Sequence, residues 1–290
     1  MADYIRDRIA QIEFLPSLPG IAGEVMKVIE DPRSSASDLV RHLDPSLAGE
    51  VLKAANSAYC GKKNFRHIES VEQAVAAIGY SGLSSIILHT PLLSMIDGED
   101  TLFDRKGFVR HSLSCAVLAE TVASAFALGN PKAAHLSGML HDIGIIIVYQ
   151  FFKEEWRKIN VLMEQRAWGR PEAERAVLGM DHANIGSMLL ELWDLPETIL
   201  ESVWFHHLRE EGGERGELYA IWLADNLAMQ IDFDKDFMDF ETFFRKQREF
   251  LQSEMPERYL LNHDVDLFET AYDKLKEIES VWGSLFGGEG

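Results

Sequence analysis

Residues 139–144 read MLHDIG, a polar pair enclosed by apolar residues. The pair consists of an imidazole, His141, and a carboxylate, Asp142, with Leu140 and Ile143 on either side. Apolar neighbours on a helical segment turn such a pair toward the protein interior. Burial of an imidazole or a carboxylate is costly unless the group is paired or binds a cation. This stretch therefore predicts a helix that buries a polar pair, which needs either partners or a cation.

Residues of the same two types, also with apolar neighbours, recur between residues 111 and 225. With the first pair they make five histidines and two aspartates, which are hard to satisfy by hydrogen bonds among themselves in one interior. A metal centre resolves this difficulty. The predicted ligands are His111, His141, Asp142, His182, His206, His207 and Asp225.

The number of ligands favours two ions. The first would be surrounded by His111, His141, Asp142 and Asp225, and the second by Asp142, through its other oxygen, with His182, His206 and His207. Each set leaves room for water on an octahedral ion. Imidazole with carboxylate suits iron or manganese, our first expectation, and also nickel or zinc. The absence of thiolate ligands argues against a structural zinc site.

Ordinary core packing competes with this interpretation, because a lone histidine on an apolar helix face is more often a core residue. The HD and HH doublets taken together favour a metal. Asp181 is predicted to cap the helix that follows it rather than to bind a metal. Histidines without a partner at useful spacing are predicted not to be ligands: His42, His67, His89, His135 and His263.

The sequence predicts an all-α fold of two packed helical bundles. Apolar residues recur at helical spacing, and alternating patterns typical of strands are scarce. After an extended entry through Pro16 and Pro19, helices are predicted near 21–30, 36–43, 46–57, 71–79, 81–94, 105–127, 131–152, 154–168, 171–178, 182–193, 197–207, 216–230, 239–253 and 264–283. The acidic stretch 95–104 is the predicted boundary between an N-terminal small bundle, residues 1–98, and a C-terminal helical domain, residues 99–290.

The composition argues against some classes of binding partner. With 47% hydrophobic and 26% charged residues the chain is typical of a globular protein, and its net charge of −19 repels nucleic acid and anionic lipid. The start lacks the pattern of a secretory signal, and the longest apolar run, residues 143–152, is about half of a bilayer span. We expect a cytoplasmic protein without nucleic-acid or membrane partners. Cys60 and Cys115 are predicted to be reduced, buried thiols.

These motifs resemble the HD superfamily, and within it the HDOD, or HD-related output domain, family. The resemblance rests on MLHDIG and the HH pair with LPSLP (15–19), DPSL (44–47), AANSAYC (54–60), IESVEQAVAAIGYSGL (68–83) and DHANIGSMLLELWDLPETI (181–199). It spans about residues 10–230. It implies an all-helical regulatory protein of bacterial signalling, without established catalysis, that acts on signalling proteins in trans, and it leaves a homodimer open.

A catalytic relative provides an alternative. The ligand order is similar to that of HD-GYP phosphodiesterases, which implies a metal-dependent phosphohydrolase acting on a nucleotide or cyclic dinucleotide, with a hydroxide held between two ions that share Asp142. Two departures weaken this hypothesis. Ile145 stands where those enzymes carry a lysine, and LREEGGERGE (208–217) stands where they carry Gly-Tyr-Pro. A redox or gas sensor with an iron pair would use the same ligands. We therefore expect a regulatory protein without catalytic residues, and keep the phosphohydrolase as the alternative.

Overall fold

The computed structural model describes residues 2–10, 27, 38, 40, 43, 45–59, 68–94, 103–208, 216–231, 240–254 and 268–276. Over these residues the secondary structure is helical and contains no strand, which confirms the all-α class. The helices are α1 (Ala2–Ala10), α2 (Pro45–Tyr59), α3 (Val71–Ser94), α4 (Arg105–Phe126), α5 (Pro131–Leu140), α6 (Ile143–Phe151), α7 (Lys153–Arg166), α8 (Arg170–Leu178), α9 (His182–Leu192), α10 (Glu197–Phe205), α11 (Gly216–Ala228) and α12 (Phe240–Glu254). Residues 268–276 are also helical.

Capping residues explain where two of the helices around the predicted site begin. Asn130 accepts hydrogen bonds from first-turn N–H groups, and Pro131 follows it as the first residue of α5. Asp181 accepts a hydrogen bond from the Asn184 N–H, while the Asn184 side chain accepts one from the Asp181 N–H. This capping box begins α9 and confirms the predicted role of Asp181.

The segment 131–152, predicted as one helix, is two helices. α5 ends at Leu140 and α6 begins at Ile143, so that His141 and Asp142 occupy the turn between them. The prediction of a continuous helix is wrong because apolar residues continue on both sides of the turn and conceal the interruption. The interruption leaves the HD pair at two helix ends, where side chains are free to face a common point.

Helix α1 is a second correction. An extended entry through Pro16 and Pro19 is predicted before the first helix, but α1 precedes those prolines. Ile5 and Ile9, four residues apart, are buried, and α1 packs on α9. The charged residues between the two isoleucines obscure this narrow apolar stripe in the sequence.

Most other predicted boundaries agree with the structure. From α2 onward, the predicted helices that the structure describes in full match within two residues at each end, apart from the interruption above. α3 bends at Gly79, which has φ 68°, and this bend separates the predicted helices 71–79 and 81–94. The predicted helices 21–30, 36–43 and 264–283, and the boundary at 95–104, lie wholly or partly outside the described residues.

The helices around the predicted site pack together in the C-terminal part of the described chain. α4 packs along α5 and α11, while α9 packs against α6 and α10. Leu136, Ile147, Leu190 and Leu223 on these helices are fully buried, and burial of each such side chain contributes about 2 kcal/mol. α3 contacts α4 and α5, so this helix also touches the core. Cys115 is a buried free thiol in it, as predicted, and Cys60 lies outside the described residues.

Within the described ranges no single helix has both the length and the apolar character to cross a bilayer. A bent pair, Val71–Gly79 with Gly82–Leu88, meets those two criteria only when its halves are counted together.

A glycine at the start of α6 permits close contact with α9. A Cβ atom added at Gly144 would collide with the carbonyl oxygen of His182 and would lie 2.9 Å from the backbone nitrogen of Gly186. Backbone atoms cannot move aside as the end of a flexible side chain can. Gly144 therefore sets the distance between the helix that follows Asp142 and the helix that begins at His182.

We predict that Gly144→Ala lowers the free energy of unfolding by about 1–3 kcal/mol, because the added methyl group forces α6 and α9 apart. Gly49→Ala in α2 is the matched control. A Cβ there meets nothing within 4 Å, and alanine in a helix interior is expected to stabilise by about 0.5–1 kcal/mol. Urea denaturation of both variants measures the difference. Equal stability of Gly144→Ala and the unaltered protein would contradict the close-contact account.

Candidate metal centre

The structure brings all seven predicted ligands together. They come from five segments: His111 from α4, His141 and Asp142 from the turn between α5 and α6, His182 from the first residue of α9, His206 and His207 from the turn after α10, and Asp225 from α11. Overlapping groups among them have ligand atoms within 4.8 Å of one another: His111 with His141 and Asp142, His141 with His206 and Asp225, and His182 with His206 and His207. Such groups could hold a metal ion.

The predicted non-ligands are not part of this cluster where the structure describes them. His135 is a buried residue of α5, and its Nδ1 lies 3.2 Å from Oε2 of Glu120 on α4. His42, His67 and His263, together with the side chain of His89, lie outside the described residues. His135 is therefore a core residue with a carboxylate partner, a partner that spacing along the sequence does not reveal.

The first predicted ligand group is compact. His111 Nε2 lies 3.1 Å from His141 Nε2, 3.1 Å from Asp225 Oδ1 and 3.5 Å from Asp142 Oδ2. His141 Nε2 lies 3.4 Å from Asp142 Oδ2 and 3.6 Å from Asp225 Oδ1. Neighbouring ligands about 2.1 Å from an octahedral ion are about 3.0 Å apart. The four atoms therefore have nearly the spacing of ligands around one cation.

The second predicted group uses the other oxygen of Asp142. Asp142 Oδ1 lies 3.1 Å from His182 Nε2 and 3.7 Å from His206 Nε2. His182 Nε2 lies 2.8 Å from His207 Nε2. The two carboxylate oxygens of Asp142 therefore face different sets of imidazoles, which is the arrangement that a bridging ligand requires.

Hydrogen bonds behind the imidazoles determine which ring nitrogen is free to bind a cation. The Nδ1–H of His141 donates to the Gly138 carbonyl at 2.7 Å, and that of His206 donates to the Val203 carbonyl at 2.6 Å. In a neutral ring this leaves the Nε2 lone pair directed into the cluster. Within the described residues, His206 Nε2 is buried without a hydrogen-bond partner. A cation would satisfy this atom, so the donor set fits a divalent metal.

Glu174 on α8 supports the same arrangement and was not predicted from the sequence. It is fully buried, and its Oε2 accepts hydrogen bonds from the His182 backbone N–H at 2.7 Å and from His182 Nδ1–H at 2.6 Å. Glu174 follows Ala173 and precedes Leu178 by four residues, so its apolar neighbours in the sequence resemble those of the predicted ligands. A lone glutamate on a short, charged helix is usually exposed, however, so this signal is weak.

Burial and neighbouring charges shift the pKa values of Asp142 and His182 in opposite directions, whereas burial and its main neighbour both lower that of His207. Burial alone would raise the pKa of Asp142, but the imidazoles of His141 and His182 hold it well below its usual range. Burial alone would lower the pKa of His182, but the Glu174 and Asp142 carboxylates raise it to about 10. Burial and the neighbouring His182 lower the pKa of His207 to about 4. In the absence of a cation, protons on some imidazoles therefore balance the buried carboxylates.

The sign of these shifts predicts how the metal-free protein responds to pH. His182 has a pKa near 6.5 in the unfolded chain and about 10 in the folded protein. Its contribution to stability is therefore fully present below pH 6.5 and is lost as the pH rises toward 10. We predict that the melting temperature of chelator-treated protein falls between pH 6.5 and pH 9.5.

Added divalent metal is expected to reverse this loss, because a cation replaces the imidazole protons that alkaline pH removes. Differential scanning calorimetry of the same sample with and without Mn²⁺ or Zn²⁺ measures both effects. A metal-free melting temperature that rises steadily up to pH 9.5 would contradict the proton balance described above.

Comparisons with known proteins agree with the fold. The HDOD domain family matches residues 15–208 of this chain. A protein from Treponema pallidum (strain Nichols), described as uncharacterised, is 27% identical over 218 residues, which is 71% of this chain and 40% of that relative. The chain thus spans about 40% of the length of the curated relative that it matches.

Two crystal structures show the same architecture at low sequence identity. An HDOD domain protein of unknown function from Geobacter sulfurreducens has a TM-score of 0.66 at 19% identity, over 97% of this chain and 99% of its own. A protein from Shewanella amazonensis SB2B, provisionally assigned as a phosphohydrolase, has a TM-score of 0.62 at 19% identity, over 92% and 98%. Identities this low establish the shared fold alone. The family match, which covers well over half of the chain, shows that this protein belongs to the HDOD domain family.

Proposed function

We propose that this HDOD protein is a regulator in bacterial signal transduction that acts by binding other signalling proteins. Its histidine and aspartate cluster would hold two divalent cations, with iron or manganese as the first expectation. The observation that carries the two-cation part of the proposal is the position of Asp142, whose two oxygens face two sets of ligand atoms at 3.1–3.7 Å. The cations would have a structural and regulatory role.

The positions of the ligands support a structural role. His141 directly follows α5, His182 begins α9, and His206 directly follows α10. A cation bound by these residues would hold together helix ends whose buried polar groups are otherwise unfavourable. When bound, such an ion supplies cross-links between segments that are distant in sequence, which stabilises a folded domain over its unfolded chain.

Two features of the described cluster favour a non-catalytic role. Its side chains are mostly buried, and the ion-pair partners of its carboxylates are histidines. The exposed fractions of the His111 and His207 side chains are 23% and 26%, and that of Asp142 is 11%. Among the described residues, the ion pairs of Asp142 and Asp225 are all with histidines. Ile145 occupies the position where HD-GYP enzymes carry a lysine that holds phosphate. The described part of the centre thus offers little to bind a phosphodiester besides the cations themselves.

Metal content tests the first part of the proposal. Protein purified without chelator is expected to contain about two equivalents of divalent metal per chain by elemental analysis. Asp142→Asn is expected to lose most of it, because the amide cannot bridge two cations as a carboxylate does. Asp7→Asn, an exposed acid on α1, is the matched control and should retain the metal. Equal metal content in all three proteins would refute the assignment of Asp142.

An activity assay tests the second part. Metal-loaded protein is expected to cleave bis(p-nitrophenyl) phosphate and cyclic di-GMP no faster than the Asp142→Asn variant does. Robust cleavage that depends on added metal and is lost in Asp142→Asn would overturn the non-catalytic proposal.

A metal-dependent phosphohydrolase is the second candidate function, and the two-sided position of Asp142 is the observation that favours it. When bound, a cation pair would supply Lewis acidity toward a phosphoryl group and would activate water. Under this alternative His206→Ala is expected to abolish turnover, since the buried His206 belongs to the second ligand group. The variant is expected to retain its helical content. Unchanged turnover in that variant would count against the alternative.

A further inference from the structure

Beyond its hydrogen bonds to His182, Glu174 has a cation from the same helix within ion-pair distance. Arg170 begins α8, and its Nη1 lies 3.9 Å from Glu174 Oε1. The other oxygen of Glu174 accepts both hydrogen bonds from His182. The carboxylate thus has His182 on one side and a guanidinium on the other.

Aromatic packing holds Arg170 in this position. The guanidinium carbon lies 4.6 Å from the ring centre of Trp156 on α7, a cation–π distance. Trp156 is buried and itself packs against Tyr149 and Phe103, with ring centres 5.3 and 5.9 Å away. Arg170 is therefore fixed by a rigid aromatic group from a neighbouring helix, and its side chain is 24% exposed.

The charge of Glu174 needs this neighbour. A fully buried carboxylate is costly unless it is hydrogen-bonded and paired with a positive charge. His182 supplies two hydrogen bonds, but it supplies no positive charge when its ring is neutral, the form that binds metal. Arg170 then provides the formal countercharge. By accepting the hydrogen bond from His182 Nδ1–H, Glu174 in turn makes the His182 ring a stronger ligand through Nε2, because the partner of a ligating histidine raises its basicity.

We propose that Arg170 is a positioning residue that sets the metal affinity of the centre through Glu174 and His182. The inference rests on the proposed metal centre and adds a point of regulation to it. The loop 167–169 between α7 and α8 has its two end residues exposed, and Arg170 directly follows it. A partner that draws Arg170 away from Trp156 would weaken metal binding at His182 without touching a ligand.

The test is a titration of metal-free protein with Co²⁺, followed by the visible absorption of the bound ion. Glu174→Gln is expected to weaken binding about 10–100-fold, the range seen when the hydrogen-bond partner of a ligand is removed. Arg170→Gln is expected to weaken binding about 3–10-fold, because it acts through Glu174 rather than on the ligand. Arg170→Lys keeps the charge without the planar stack and should restore part of the loss.

Arg166→Gln is the matched control. Arg166 makes a similar contact, with its guanidinium carbon 4.8 Å from the ring centre of Trp168. It is exposed, and among the described residues it forms no ion pair with Glu174 or with a predicted ligand. Its variant should bind Co²⁺ as the unaltered protein does. Circular dichroism of every variant checks that the fold is retained.

A double variant separates positioning from a general loss of packing. If Arg170 acts through Glu174, then Arg170→Gln added to Glu174→Gln should weaken Co²⁺ binding by less than twofold, since neighbouring residues of one network are not additive. In the zinc-loaded protein, the downfield resonance of the His182 Nδ1 proton should move upfield in Arg170→Gln but not in Arg166→Gln.

Three results would overturn the inference, and they differ in whether the proposed metal centre fails with it. If the unaltered protein binds Co²⁺ while Arg170→Gln binds it equally well, or if the two substitutions add in full, the role of Arg170 is wrong and the metal centre stands. If the unaltered protein does not bind Co²⁺, the proposed function and this inference fail together.

Discussion

Asp142 carries its charge inside the protein, and the surrounding helices are arranged around that carboxylate. A buried carboxylate is unfavourable by several kcal/mol unless hydrogen bonds and positive charge surround it. Here His111 and His141 lie on one side of it, and His182 and His206 lie on the other. Each imidazole comes from a different segment of the chain, so satisfying one carboxylate requires α4, α5, α9 and α10 to meet at one place.

The turn at residues 141–142 and the glycine that follows it make this meeting possible. In a continuous helix neighbouring side chains point about 100° apart around the axis, whereas His141 and Asp142 lie in the turn between α5 and α6 and both face the cluster. Gly144 then lets α6 approach the backbone of His182 closely. The centre is thus formed mainly at helix ends, where a small displacement of one helix changes ligand distances. This location would suit the proposed role in binding a partner.

The sequence was sufficient to find the residues that converge in the cluster and insufficient to find what supports them. His141, Asp142, His206 and His207 could be predicted because doublets of ligand residues with apolar flanks are a local signal. Glu174 could not, because its function depends on the packing of α8 beside the start of α9, which no spacing along the chain encodes. The turn inside 131–152 is hidden for a related reason, because the apolar pattern of the sequence continues from α5 into α6.

The central claim is that two cations share Asp142, and anomalous X-ray diffraction from crystals of metal-loaded protein tests it most directly. Data collected on either side of the absorption edge of the bound metal should show two peaks, one beside each oxygen of Asp142. The first should lie among His111, His141 and Asp225, and the second among His182, His206 and His207. Absence of anomalous density at the cluster, in crystals whose metal content is confirmed, would contradict the account.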